Sequence, residues 1–301
     1  MNASIWKRLV DGGSLDSLGL GVRNGRLDLR CLSAPEPTLG ETTHTVIADI
    51  AKLEGQIRFE GVNLQSLDFS GSQLGHLRFC NCVIRNCIFD NCSCREWKLW
   101  GTTVDNSFFR ETDLRGAVLG GVIAGRRNSF HKVDFTGADL RGTTYTAAEF
   151  AGCMFKDTRL DKVDFQTSTF RDCVFEGELR DVIFYRRGFG GEEFPANEMV
   201  SVDFTHAQLR FVEFRNLDLD KVSFPEDADH LVLNNYPQCL DRAIQVLQGR
   251  SDLIARKLTA YLGVVRKWAG EHQRRGVLNK KDIVEIVGEA ALADLLECIR
   301  L

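Results

Sequence analysis

The sequence predicts a repeat-built solenoid that ends in a helical segment. Two observations carry this expectation. Large apolar residues recur at every fifth position over more than half of the 301-residue chain. Beyond residue 225 that period stops and amphipathic helical patterns replace it. A strict period of five belongs neither to a helix (3.6) nor to a flat strand (2.0). Repetition of this kind decides the architecture before any single element is read.

The first run is Phe59, Leu64, Phe69, Leu74, Phe79, Ile84, Phe89, Cys94, Leu99, Val104, Phe109, Leu114 and Leu119. A second runs from Phe130 to Phe175 and a third from Phe184 to Phe224. Of the 20 phenylalanines, only Phe108 and Phe211 miss the register. The position two before the large residue is mostly small or β-branched, as at Val62, Cys82, Ala138, Thr143 and Val202. Two residues in five therefore point inward, one large and one small, and the rest face water.

These pentads resemble the pentapeptide-repeat family, whose motif is roughly A(D/N)LXX; VDFTGADLRG (133–142) and VDFTHAQLRF (202–211) fit it closely. The resemblance spans about 57–224. It implies a mainly β fold, a right-handed quadrilateral β-helix with four pentapeptides per coil. The 32 inward faces of the three runs then make about eight coils. Residues twenty apart should stack as columns. The expected columns are Phe69/Phe89/Phe109, Phe130/Phe150/Phe170, Phe135/Phe155/Phe175, Phe184/Phe204/Phe224 and Leu64/Ile84/Val104. The first two form the expected core ladder. A fully buried ring of this kind contributes about 1.5–3 kcal/mol.

Cysteine clusters in FCNCVIRNCIFDNCSC (79–94). Clustered thiolates can bind zinc, and Cys82, Cys87 and Cys92 converge on the coil axis. The packing reading is plainer. These three occupy the small inward position, Cys94 a large one, and Cys153 and Cys173 repeat the small position; cysteine there acts as a compact hydrophobe. Cys80 should face water. Trp97 is too bulky for its small position and should distort its coil.

The register breaks twice. Phe130 follows Leu119 by eleven residues, where ten would keep phase, and Phe184 follows Phe175 by nine, possible as a four-residue insertion at a corner. Segments 120–129 and 185–198 are expected to leave the coil surface, either as register repairs or as partner-contact loops. Their charged residues Arg126, Arg127, Arg186, Arg187, Glu192 and Glu193 are candidate partner contacts.

Three regions follow: a cap region over 1–55, the repeats over 56–225 and a helical domain over 226–301. The first holds a short helix near Ile5–Val10, a strand over 26–32, a Pro35/Pro37 loop and apolar Val46, Ile47, Ile50 and Leu53. A cap is needed because an open β-helix end exposes unpaired strand edges. In the third region, Asn235 and Pro237 open one helix, Ser251 caps a second and Asn279 caps a third. Tyr261, Val265 and Trp268 lie on one apolar face of the second and are further candidate partner contacts. Such helices bundle on themselves, dock on the last coil or dimerise.

No P-loop, G-x-S-x-G, H-E-x-x-H or G-x-G-x-x-G motif is present, and the six histidines are scattered. No catalytic residue, cofactor or metal is expected. Net charge is −4, too mild to draw nucleic acid or acidic membranes. The basic run RKWAGEHQRR (266–275) sits among eleven basic and eleven acidic residues over 226–301, so a solvated helix end is preferred to nucleic-acid binding. No apolar run suits a membrane span. The start lacks a secretory pattern, so the expected location is a bacterial cytoplasm with reduced thiols.

The expected function is a non-catalytic scaffold for a protein partner, with a homodimer through the C-terminal helices as one form. The resemblance reaches the fluoroquinolone-resistance branch, whose members imitate duplex DNA and protect a type II topoisomerase, DNA gyrase. Residues 56–225 hold 21 Lys/Arg and 24 Asp/Glu, a balance of −3. That is little for a phosphate mimic, so this is the alternative.

Overall fold

The computed structural model describes residues 2–35, 57–188 and 193–300. The chain divides into two compact units, one ending at Thr158 and one starting at Arg159.

In the first unit, short parallel strands twenty residues apart pair in register. Leu64, Ile84 and Val104 are aligned partners on one ladder, and Phe59, Phe79 and Leu99 on another. Bridges Asp68–Ile88–Phe108 and Gln73–Ser93–Asp113 mark two more. The result is a β-solenoid. Its turns come from one residue in every five. The residue two after each large inward one is left-handed, with φ of 55° at Ser66, 63° at His76, 54° at Asn81 and 55° at Asn86. Asparagine tolerates this region better than most residues, which accounts for Asn81, Asn86, Asn91 and Asn106.

The small inward position has its own chemistry. Cys92 Sγ donates to Phe69 O at 3.0 Å, Thr112 Oγ1 to Phe89 O at 2.6 Å, Cys153 Sγ to Phe130 O at 3.3 Å and Thr158 Oγ1 to Phe135 O at 2.8 Å. Each reaches back 23 residues to the coil before it. Thiol and hydroxyl are interchangeable there because both are small donors facing the same carbonyl. Trp97 does not distort its coil as expected. Its indole Nε1 donates to Leu74 O in the same 23-residue pattern, and its ring meets Phe89 edge-on at 5.3 Å.

Cys80 is fully buried rather than solvent-facing, because it lies between Glu60 and Trp100 on adjacent strands. Burial raises the thiols of Cys80 and Cys82 and pushes that of Cys87 up to about 12. No disulfide joins any of the ten cysteines. Under native reducing conditions, a thiol reagent should label exposed Cys31 and half-buried Cys239 and spare Cys82, Cys87 and Cys92 until unfolding. Rapid native labelling of these three, or one zinc per chain by elemental analysis, would overturn the packing account.

Phe130 stacks on Phe150 and Phe135 on Phe155 as expected, but the expected ladder from Phe109 to Phe130 is not formed. Phe69, Phe89 and Phe109 stack at 5.1 and 4.7 Å. The column continues to Phe135 at 5.7 Å and Phe155 at 5.2 Å. Phe130 instead aligns with Val104 and stacks on Phe150 at 5.0 Å. The step across the break is 26 residues, so six residues have been inserted and Leu119 to Phe130 is one ordinary face plus those six. The insertion is an antiparallel hairpin, Val122–Ile123 with Arg126–Arg127. Ala124 and Gly125 at its tip have φ of 49° and 75°, the paired positive values a tight hairpin turn requires. Asn128 seals its base. Fully buried, it donates to Leu99 O and Leu119 O at 2.7 and 2.9 Å and accepts from Thr102 N at 2.9 Å.

The N-terminal helix α1 spans Asn2–Asp11. The strand expected over 26–32 is shorter, Arg26–Asp28, and pairs in parallel with Leu67–Asp68. It therefore extends the solenoid ladder instead of merely covering it. Pro37, Val46, Ile47, Ile50 and Leu53 lie outside the described residues.

In the second unit the expected Phe184/Phe204/Phe224 column is replaced by two. Phe165, Phe184 and Phe214 stack at 5.2 and 5.5 Å, and Phe175, Phe204 and Phe224 at 4.9 and 6.2 Å. Two length changes cause this. The nine-residue step from Phe175 to Phe184 passes through buried Leu179, so it is a face of four and a face of five, with no insertion. Phe184 then aligns with Phe214, thirty residues on, which places ten extra residues before Met199. Asn197 closes this second insertion, accepting from Phe170 N and Met199 N at 3.1 and 3.2 Å.

The C-terminal segment is helical but contains an antiparallel strand pair that the sequence reading lacked, His230–Asn234 with Arg275–Asn279. Helices α2 (Tyr236–Gln248) and α3 (Leu253–Trp268) lie between those strands. Asp252, not Ser251, caps α3, accepting from Ala255 N at 2.9 Å. The expected third helix is two, α4 (Lys280–Val287) and α5 (Glu289–Arg300), parted by Gly288 at φ 108°. Leu240, Leu258, Leu262, Ile283 and Leu295 close a core among these helices.

Candidate functional site

The helical segment is fastened to the last coil by polar bonds. Leu209 N donates to His230 Nε2 at 3.1 Å, so the ring proton sits on Nδ1 and faces Asp227 at 2.9 Å. Asn279 Nδ2 donates to Leu209 O at 2.8 Å. Buried Asp282 accepts from Phe211 N at 2.7 Å and from Arg210 Nε at 2.5 Å. Burial raises the Asp282 carboxyl above its usual range, against the pull of Arg210. Asn216 N donates to Trp268 O at 2.9 Å.

Between these fastenings the coil and the helices do not meet fully. They leave a cleft of about 590 Å³. Leu209, Phe211 and Val212 line it from the coil, Tyr261, Val264, Val265 and Trp268 from α3, and Ile286 from α4. Val264, Ile286 and Trp268 are 60%, 49% and 36% exposed. Trp268 is held in place by Arg215, whose guanidinium lies 3.9 Å over the indole and 5.0 Å over Tyr185. Arg215 Nη1 also donates to the Tyr185 hydroxyl at 2.8 Å, and burial pushes that phenol up to about 12.

The expected contacts separate. Tyr261, Val265 and Trp268 come together in the cleft. Arg126 and Arg127 lie on the hairpin of the first unit, where Arg127 pairs with Glu149 at 3.2 Å. Arg186, Arg187 and Glu193 belong to the second insertion, with Arg187 bonded to Phe194 O. Glu192 lies outside the described residues. The sequence reading missed Val264, Ile286, Lys257 and Phe211. Phe211 carried a signal, since it and Phe108 alone fall off the five-residue register. Both face outward under arginines: Phe108 under Arg110 at 4.4 Å, Phe211 under Arg180 at 5.3 Å and Arg210 at 5.5 Å.

The arrangement is suited to apolar contact. Among the described residues no group of three or more His, Cys, Asp or Glu is placed to hold a metal, and no helix is long and apolar enough to cross a membrane.

Residues 134–172 match the family of pentapeptide repeats, in eight copies. This part of the chain is built of pentapeptide repeats. Solved pentapeptide-repeat structures resemble the chain at low identity. Trypsin-treated QnrB1, a plasmid-mediated fluoroquinolone resistance protein, is 16% identical, with 53% of this chain and 83% of that chain covered and a TM-score of 0.28. HetL, a pentapeptide repeat protein involved in heterocyst differentiation regulation in Nostoc sp. strain PCC 7120, is 17% identical, with 57% and 86% covered and a TM-score of 0.21. No curated protein matches the chain.

Proposed function

We propose that this pentapeptide-repeat protein is a non-catalytic scaffold that binds a protein partner, with its principal contact surface at the C-terminal end. The cleft carries this reading. Three large apolar side chains converge there half-exposed, although the helices already have a closed core, and contiguous exposed apolar surface marks interaction sites. We take the repeats to wind as a right-handed quadrilateral β-helix of about eight coils, over 56–225, between a cap region at 1–55 and the helical domain at 226–301. Its many buried thiols suit a reducing cytoplasm.

The alternative is a DNA-mimicking protector of DNA gyrase. A mimic needs a row of unpaired carboxylates. Here Asp105 pairs with Arg85 at 2.9 Å, Asp134 with Arg110 at 2.7 Å and Asp113 with Arg115 at 2.7 Å, so arginines neutralise carboxylates on three ladders, which favours the scaffold. Two measurements separate the readings: affinity capture with the full chain, and a gyrase supercoiling assay with the chain added. The scaffold reading expects a stoichiometric protein partner and unchanged supercoiling. Stoichiometric inhibition or drug protection of gyrase would transfer the function to the mimic.

A further inference from the structure

We propose that the C-terminal cleft is a receptor for a peptide segment of the partner, one with apolar residues flanked by aspartates and glutamates. This deepens the scaffold reading and rests on it.

The apolar surface of α3 is wider than the helical core covers, and Val264 and Trp268 are left exposed. Ala255, Leu258 and Leu262 are fully buried in the helical core. Tyr261 and Val265 pack partly against that core and also line the cleft; with Val264 and Trp268 they form its α3 wall, spaced by three and four residues. With Lys257 at its start, this wall is about 16 Å long at 1.5 Å per residue. That suits an extended or helical peptide segment rather than a single side chain. Val264, Ile286 and Trp268 are three of the six large apolar residues that are exposed among the described residues.

The charge of the wall is one-sided. Helix α3 holds Arg256, Lys257, Arg266 and Lys267 and no acidic residue. Arg266 is paired with Asp241 at 2.8 Å. Arg256, Lys257 and Lys267 have no ion-pair partner among the described residues, and Lys257 lines the cleft. The acids of the cleft are already committed, Asp282 to Arg210 and Glu213 to Arg215. The uncompensated charge of this wall is therefore positive. It selects an acidic segment by complementarity and repels a basic one.

The test selects a random 16-residue peptide library on the full chain, with counter-selection on Val264→Asp. A synthetic copy of the best peptide is then titrated by fluorescence anisotropy. Val264 and Lys257 are both exposed, so Val264→Asp and Lys257→Glu should leave the melting curve unchanged. Enriched peptides should combine apolar residues three or four apart with Asp and Glu. Each substitution should weaken binding about tenfold, and raised salt should weaken it further. Enrichment of basic peptides, no enrichment, or equal binding by Val264→Asp would overturn the proposal. So would a dimer, seen by light scattering, that Val264→Asp dissolves, because a second copy would then fill the cleft. A partner captured equally well by Val264→Asp would leave the scaffold reading standing and remove this site; an absence of any captured partner would instead remove the scaffold reading.

Discussion

Phe89→Ala should destabilise the protein by about 3–5 kcal/mol. The Phe89 ring is 1% exposed and lies between Phe69 at 5.1 Å and Phe109 at 4.7 Å, with the Trp97 edge at 5.3 Å. The loss combines apolar transfer, the ring–ring contacts and a cavity. That cavity cannot collapse easily. Phe89 N donates to Phe108 O and Cys92 N to Phe89 O, so the backbone around the hole is pinned by hydrogen bonds between coils and within the turn. Phe108→Ala is the matched control. Its ring faces outward beneath Arg110, and an exposed cation–π contact contributes only about 0.5–1 kcal/mol. Urea denaturation of both variants measures the difference. If Phe89→Ala cost less than about 1 kcal/mol, the ring would not be a core element and the column would be wrong.

Asn128→Ala should cost about 3 kcal/mol or more, a large effect for a polar residue. Its side chain satisfies three buried backbone groups at the neck of the inserted hairpin: Leu99 O, Leu119 O and Thr102 N. Leaving each without a partner costs about 1–3 kcal/mol. Asn128→Asp should be no better, since a carboxylate would face two carbonyl oxygens that need donors. Hydrogen exchange at the Thr102 amide reports the same event locally and should accelerate in both variants. A stable Asn128→Asp protein with a protected Thr102 amide would mean that the neck is closed by other bonds.

Much of this protein is legible in the sequence because the repeat is a local steric rule. The large residue, the small residue two before it and the turn residue two after it all lie within one pentad. Period, inward positions and the packing role of Cys82, Cys87 and Cys92 can therefore be read without knowing what lies above or below. The starts of α2, α3 and α4 are legible for a similar reason, although Asp252 took the cap that Ser251 was expected to fill.

Only the tertiary structure decided which residues stack across a break. A step of eleven or nine residues does not say how many leave the coil. That number is set by hydrogen bonds between coils, which join Val104 to Phe130 and Phe184 to Phe214 across whatever lies between. Phe135, not Phe130, therefore continues the Phe69/Phe89/Phe109 column. Burial of Cys80 and the insertion of Trp97 also depended on neighbours twenty or more residues away. The cleft was the least legible feature. Helix α3 presents apolar residues around much of its circumference, and periodicity cannot tell which face the helical core will take. Once Leu258 and Leu262 turned inward and the Arg210–Asp282 bond set the spacing to the last coil, Tyr261, Val264 and Trp268 were left as the open wall.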